Sequence, residues 1–380
     1  MNQQPIINIG CLGSVSDGKS TLIEKLTNIK TQRHSNEKIR NITIKQGYAN
    51  MKIWKKNNDY YTTNSEVKSE DELINHISFV DCPGHEDLTH TMLNSISLMD
   101  GAIIVISVEH SIEKKPQLLQ HLLAAKMGKL QNIIICLNKI DLITKNQTAI
   151  RKIELDKLLE QYDIKPFTII PTCFNKKIGL NYLVNAMVEL FNPNKFLSKL
   201  DSNPIFRISR TFDINKPGTK WTDLKGGIIA GSLISGILKI GDEIEIQPAN
   251  QKTTILEIKT DTLFLEQVQP GGLVALLTNI DPYYCKNDAL IGNIVGLTHT
   301  LAPLTNVIKI KLEKELLITT NLKLQIGTKM LDTIILENIN LEYIFQLTKP
   351  ISPIINELVI ICTLNCKKLN IITNGIIISN

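Results

Sequence analysis

Three short strings carry the chemistry of this chain: Gly13-Ser14-Val15-Ser16-Asp17-Gly18-Lys19-Ser20-Thr21, Asp81-Cys82-Pro83-Gly84-His85 and Asn138-Lys139-Ile140-Asp141. In the first, two glycines bracket four residues between a predicted strand and a predicted helix. Backbone N–H groups of such a loop point inward at phosphates, and the helix that follows presents its positive end to them. Lys19 is placed to reach the β- and γ-phosphates and the Ser20 hydroxyl to bind Mg²⁺. Ser16, Asp17 and Thr21 belong to the same loop. In the second string, Asp81 ends a strand where a carboxylate holds Mg²⁺ directly or through water. Gly84 offers an N–H to a γ-phosphate, and its loss on hydrolysis releases the loop. His85 then stands beside the attacking water, in a reaction dominated by positioning. The third string reads a base: Asp141 accepts from both N1–H and the exocyclic amine of guanine, a donor pair that adenine lacks, while the Lys139 stem lies along the base face. Each string recurs by chance on its own. In this order and spacing, Asn138 included, they describe a site for GTP or GDP with Mg²⁺. Thr43, in Arg40-Asn41-Ile42-Thr43-Ile44, is a candidate to complete the Mg²⁺ shell when the γ-phosphate is present, although read alone it would be a strand threonine. His85, Thr43 and Lys19 are the catalytic candidates.

Such residues need strands that deliver loops to one edge. Strands are predicted over 6–11, 76–80, 102–108, 132–137 and 167–171, with helices over 116–127 and through Leu180, Leu183, Val184, Met187 and Leu190. Alternation of this kind predicts βαβ units and a parallel sheet. After Asn192-Pro193 and Ser202-Asn203-Pro204 the pattern changes to period-two alternation with glycine-rich turns, as in Glu243-Ile244-Glu245-Ile246-Gln247 and Ile308-Lys309-Ile310-Lys311-Leu312. The expected architecture is an α/β P-loop GTPase domain over 1–200 followed by two all-β barrel domains, 203–300 and a shortened 303–380. The 380 residues are 43% hydrophobic and 21% charged, which describes a globular chain. No basic leader and no apolar run near the roughly 18 residues of a membrane span is evident, so a cytoplasmic protein with no membrane partner is expected. Seven scattered cysteines read as small core residues, not as a disulfide framework. The net charge of +5 is compatible with an RNA partner without requiring one.

With these residues assembled, the chain resembles the translational GTPases, and among them the gamma subunits of eukaryotic and archaeal translation initiation factor 2. The resemblance extends to Arg40-Asn41-Ile42-Thr43-Ile44-Lys45-Gln46-Gly47-Tyr48-Ala49-Asn50, to residues 76–85, to Phe212-Asp213-Ile214-Asn215-Lys216-Pro217-Gly218 and to Asp223-Leu224-Lys225-Gly226-Gly227. It implies a GTP-dependent carrier of methionylated initiator tRNA to the small ribosomal subunit. It also implies alpha and beta subunits of a heterotrimer, with GTPase-activating and nucleotide-exchange factors. An elongation-type aminoacyl-tRNA carrier and a hydrolysis-impaired GTP-binding assembly scaffold are the alternatives. The resemblance matches Thr172-Cys173 to the string that meets guanine O6 through a backbone N–H, and Val15 and Ile42 to apolar residues flanking the path to His85. Three departures stand out. Ser14, Ser16 and Asp17 replace residues usual in the phosphate loop, and an acid beside phosphates is expected to weaken binding or slow turnover. No cysteine lies between Tyr48 and His76, so no zinc knuckle is expected there. The final barrel is short and diverged. For tRNA, Tyr48 as a stacking platform and Lys225 are weak candidates; Tyr48 is equally a packing aromatic on a strand.

Overall fold

The computed structural model describes residues 4–31, 47–57, 59–62, 71–85, 88–113, 115–191, 200–261, 263–317, 320–365 and 368–379. Thr43 and Ile42 lie outside the described residues.

Runs of consecutive apolar residues make the first sheet, because strands covered on both faces need no polar side. In chain order the strands are β1 (Ile7–Leu12), β2 (Gly47–Lys56), β3 (Asp59–Tyr61), β4 (Glu72–Asp81), β5 (Gly101–Ser107), β6 (Asn132–Asn138) and β7 (Thr168–Pro171). They lie side by side in the order β3-β2-β4-β1-β5-β6-β7. From β4 to β7 neighbours run parallel, whereas β2 pairs antiparallel with β4, Gly47 facing Asp81. Every residue of β1 and β5 is buried. The helices are α1 (Lys19–Thr27), α2 (Thr89–Ile96), α3 (Pro116–Met127), α4 (Lys145–Gln161) and α5 (Leu180–Leu190). Pro116 starts α3, where its missing N–H costs nothing. A capping box between Thr144 and Gln147 starts α4. This arrangement gathers the loops after β1, β4, β5, β6 and β7 at the carboxyl edge of the sheet, where open α/β sheets bind ligands.

The chain divides into two units, Ile7–Asn194 and a second that joins Met1–Ile6 to Lys195–Asn380. Residues 4–6, expected with the α/β domain, therefore pack with the barrels. The reason is Gln4, whose amide donates to the Gln269 and Gly271 carbonyls at 2.7 and 2.9 Å and whose oxygen accepts the Gln269 N–H at 3.0 Å.

In the second unit, strands Ile205–Phe212, Ile228–Ser235, Glu243–Gln247, Gln251–Thr260, Val274–Thr278 and Ile294–Leu297 form a ring closed by pairing of Glu243–Gln247 with Gln251–Thr260. Inward residues such as Phe206, Ile208, Ile244 and Ile258 fill it. A second closed barrel is built from Thr305–Leu312, Leu322–Ile326, Lys329–Ile339, Glu342–Ile351, Leu358–Asn365 and Lys368–Ser379 around Ile310, Leu324, Phe345 and Ile361. Closure removes the unpaired edges that a small sheet exposes. The barrels meet at a buried ion pair, Arg207 Nη2 to Glu357 Oε1 at 2.5 Å, and at Thr328 Oγ1, which donates to the Ile208 carbonyl at 2.8 Å. Removing one member of such a pair leaves the other charge without this compensation. Glu357→Ala is expected to lower the unfolding free energy by about 3 kcal/mol, read as a fall in the urea midpoint at unchanged slope. An unchanged midpoint would deny the pair a role. Among the described residues no helix is long and apolar enough to cross a membrane.

Candidate guanine-nucleotide site

The turn after β1 exists because of its glycines. Gly13 has φ +138° and its absent Cβ would stand 2.2 Å from the Val105 carbonyl oxygen, so β5 packs directly on the loop. Gly18, at φ +108°, is the N-cap of α1 with no capping side chain, which leaves the first N–H groups of the helix to an anion. Lys19 lies buried beneath, its Nζ donating to the Gly13 and Ser14 carbonyls at 2.8 Å each. Burial pulls its pKa down, opposed by Asp81 and Asp17.

Ser20 Oγ donates to Asp81 Oδ2 at 2.8 Å, so the structure brings together two of the three expected Mg²⁺ residues from α1 and β4. Thr31 Oγ1 donates to the same oxygen at 2.5 Å, an anchor for the carboxylate that sequence reasoning missed. One hydroxyl and one carboxylate suit Mg²⁺, which keeps waters and phosphate oxygens as its other ligands. Among the described residues no cluster of three or more His, Cys, Asp and Glu forms a metal cage.

A cavity of about 450 Å³ opens over this loop, within the range of small-molecule sites. Its phosphate end is lined by Val15, Ser16, Gly18, Lys19, Ser20, Thr21 and Gly84, and its far end by Glu109, Asn138, Lys139, Asp141, Leu142 and Cys173 to Asn175. Gly84 approaches so closely that a Cβ would lie 2.8 Å from Ser14 C and Val15 N and 2.6 Å from Lys19 Nζ.

At the base end, Asn138 is a brace: its amide donates to the Asp17 carbonyl at 2.9 Å and its oxygen accepts the Phe174 N–H at 3.2 Å. Lys139, at φ +65°, pairs with Glu109 at 3.1 Å. Asp141 pairs with Lys176 at 3.2 Å. The Cys173 thiol, with help from Lys176, holds the Asp141 carboxyl below its ordinary pKa, ready to accept at neutral pH. Glu109 and Lys176 went unforeseen, although the position of Glu109, just beyond the carboxyl end of β5, was a signal.

The other expected residues take these positions. The Asp17 carboxylate is not beside the phosphates: it is buried beneath the loop, on Ser14, Ser107 and Lys115. Asp17 is absent from the cavity lining. Thr172 is fully buried, its N–H and hydroxyl both directed at the Leu137 carbonyl. The N–H of Cys173, the second residue of the Thr172-Cys173 string, donates to the Ile178 carbonyl at 3.1 Å, and Cys173 lines the cavity. His85 is exposed and lines a small adjoining pocket with Gly84, Thr89, Met92, Gln117, Gln120 and His121. His121 there is neutral, burial depressing its pKa to about 3. Tyr48 is half-buried opposite Val80 in the first unit, and Lys225 is exposed in the second, its backbone held by the Asn215 side chain.

The elongation factor Tu GTP binding domain family matches residues 4–193. Translation initiation factor 2 subunit gamma of Methanocaldococcus jannaschii is 37% identical over 325 residues, 81% of this chain and 78% of the relative. The Thermoplasma volcanium subunit is 39% identical over 83% of this chain and 79% of its own length. Eukaryotic translation initiation factor 2 subunit 3 of Drosophila melanogaster is 36% identical over 78% and 68%. Among solved structures, a bacterial selenocysteine-specific elongation factor, EF-Sec, superposes with TM-score 0.80 at 23% identity over 98% of this chain and 58% of that one. Elongation factor SelB of Methanococcus maripaludis with a GTP analogue gives 0.79 at 20% identity over 100% and 80%. These two share the fold. The sequence relatives share more, and with the phosphate loop, Gly84 and Asp141 arranged about one cavity the chain is a GTPase that belongs to the translation initiation factor 2 gamma-subunit family.

Proposed function

We propose that this GTPase carries methionylated initiator tRNA to the small ribosomal subunit in its GTP form and releases it after hydrolysis. Kinship with named gamma subunits supports the carrier role, and the close approach of Gly84 to the phosphate loop supports the switch. Lys19 and the α1 N-terminus would hold the phosphates. Ser20 and Asp81, with Thr43, would hold Mg²⁺, which shields phosphate charge during transfer. Gly84 would report the γ-phosphate through its N–H, since the residue can lie against the loop only when nothing larger than hydrogen stands at its α-carbon. The partners proposed are alpha and beta subunits of the same factor, a GTPase-activating protein and an exchange factor, with Tyr48 and Lys225 as candidate tRNA contacts.

His85 is the proposed water-orienting residue, moving from its adjoining pocket to the γ-phosphate across the shared Gly84. His85→Ala is expected to leave GTP affinity unchanged and to slow partner-stimulated hydrolysis by about 10²-fold or more. Equal rates in mutant and parent would remove His85 from the mechanism.

The carrier reading is tested by binding of the protein, loaded with a non-hydrolysable GTP analogue or with GDP, to methionylated initiator tRNA and to an elongator aminoacyl-tRNA. Selective binding of the initiator in the GTP form is expected. Equal binding of both would favour an elongation-type carrier.

A further inference from the structure

An acid inside a phosphate-binding loop sets a problem: a carboxylate repels the ligand that the loop receives. The structure contains the answer. The Asp17 side chain is 3% exposed and its Oδ1 sits 2.7 Å from the Nζ of Lys115, itself 13% exposed and located just before α3. Oδ1 also accepts the Ser107 N–H at 3.1 Å, and Oδ2 accepts the Ser14 N–H at 2.9 Å. Lys115 in turn donates to the Ser107 carbonyl at 2.9 Å. The backbone of Ser14 is thus held on both sides, its N–H by Asp17 and its carbonyl by Lys19. Through its own carbonyl, Asp17 is tied to Asn138 at the base end.

We infer that Asp17 and Lys115 form a charge-neutral latch that holds the phosphate loop in its receptive shape, with Lys115 cancelling a negative charge that would otherwise oppose the phosphates. The inference rests on the guanine-nucleotide reading of the cavity. Both are positioning residues, since neither lines it. The two charges act unequally. Loss of Lys115 leaves a buried carboxylate under the phosphate site, where low dielectric makes like-charge repulsion strong. Loss of the Asp17 charge leaves a cation, which favours phosphate.

The test is equilibrium binding of GMP, GDP and a non-hydrolysable GTP analogue to the full chain, with melting temperature measured alongside. Lys115→Met is expected to weaken binding by about tenfold or more, equivalent to about 1.4 kcal/mol, with the loss growing from GMP to GDP to the triphosphate. Lys115→Arg should restore the parent values. In Asp17→Asn/Lys115→Met the loss should be smaller and the same for all three nucleotides. Should Lys115→Met not fold, Lys115→Gln, neutral but still a donor, carries the same expectation of a loss graded by phosphate number. Unchanged affinity, an equal loss for all three nucleotides in the lysine variants, or a double variant that binds as the parent does would overturn the latch. Failure of the parent chain to bind any of the three would instead reject the nucleotide reading of the cavity.

Discussion

Asp141→Asn is expected to weaken GTP binding by about 10²-fold or more, because the hydrogen bond from the exocyclic amine is replaced by donor against donor and the one from N1–H loses its charged acceptor, a bond to a charged group contributing about 1.5–3 kcal/mol. The same substitution should bring xanthosine triphosphate into the site. Xanthine carries a carbonyl where guanine carries its amine, so the asparagine amide meets an acceptor with a donor while its oxygen still takes N1–H. The surroundings of Asp141 support a carboxylate in the parent: the Cys173 thiol and Lys176 hold its pKa down. The Lys176 partner is largely exposed, so its loss in the variant carries little stability cost, and a change of base preference would not be a disguised folding defect. Competition of both triphosphates against labelled GDP measures the switch. Unaltered GTP affinity would remove Asp141 from base reading.

Gly84→Ala is expected to reduce GTP hydrolysis by about 10²-fold, the scale of a displacement near 1 Å in a positioned site. GDP binding should be retained. The argument is steric. A methyl group at position 84 would fall 2.8 Å from Ser14 C and Val15 N, and these are backbone atoms that cannot swing aside as a lysine tip can. Either the segment bearing Gly84 and His85 retreats from the phosphate loop or the loop deforms. Retreat separates the γ-phosphate sensor from its ligand while α1, Lys19 and the base reader stay in place. Single-turnover hydrolysis, with GDP affinity as the control, distinguishes the two: loss of both would mean that the loop itself had moved, and loss of neither would deny Gly84 the sensing role.

Much of the α/β domain was legible because buried parallel strands write themselves as apolar runs: 102–108 and 132–137 were expected as strands and occur as β5 and β6. Helix α4 was not, for the opposite reason. Of its 17 residues only Leu155 and Leu159 are buried, while Ile150 and Ile153 are exposed, so its apolar residues leave little one-faced periodic signal. Antiparallel β2 and β3, on the outer side of β4, extend the sheet beyond what the βαβ pattern predicts.

The site divides along the same line. Residue type and spacing by themselves determined that the chain handles a guanine nucleotide, because a phosphate loop and a guanine reader depend on backbone N–H groups, small residues and one carboxylate, all of which are local. Which way a side chain points is not local. Asp17 looks like a phosphate-facing acid until a lysine 98 positions later takes it beneath the loop. The Cys173 N–H is met by the Ile178 carbonyl and its thiol by Asp141, partners that the Thr172-Cys173 string does not announce. Ser20 and Asp81 are 61 residues apart and meet because β1 and β4 are parallel neighbours. Partners brought together by strand order and loop packing were decided only by the tertiary structure, since no short string encodes the charge that will lie across from it.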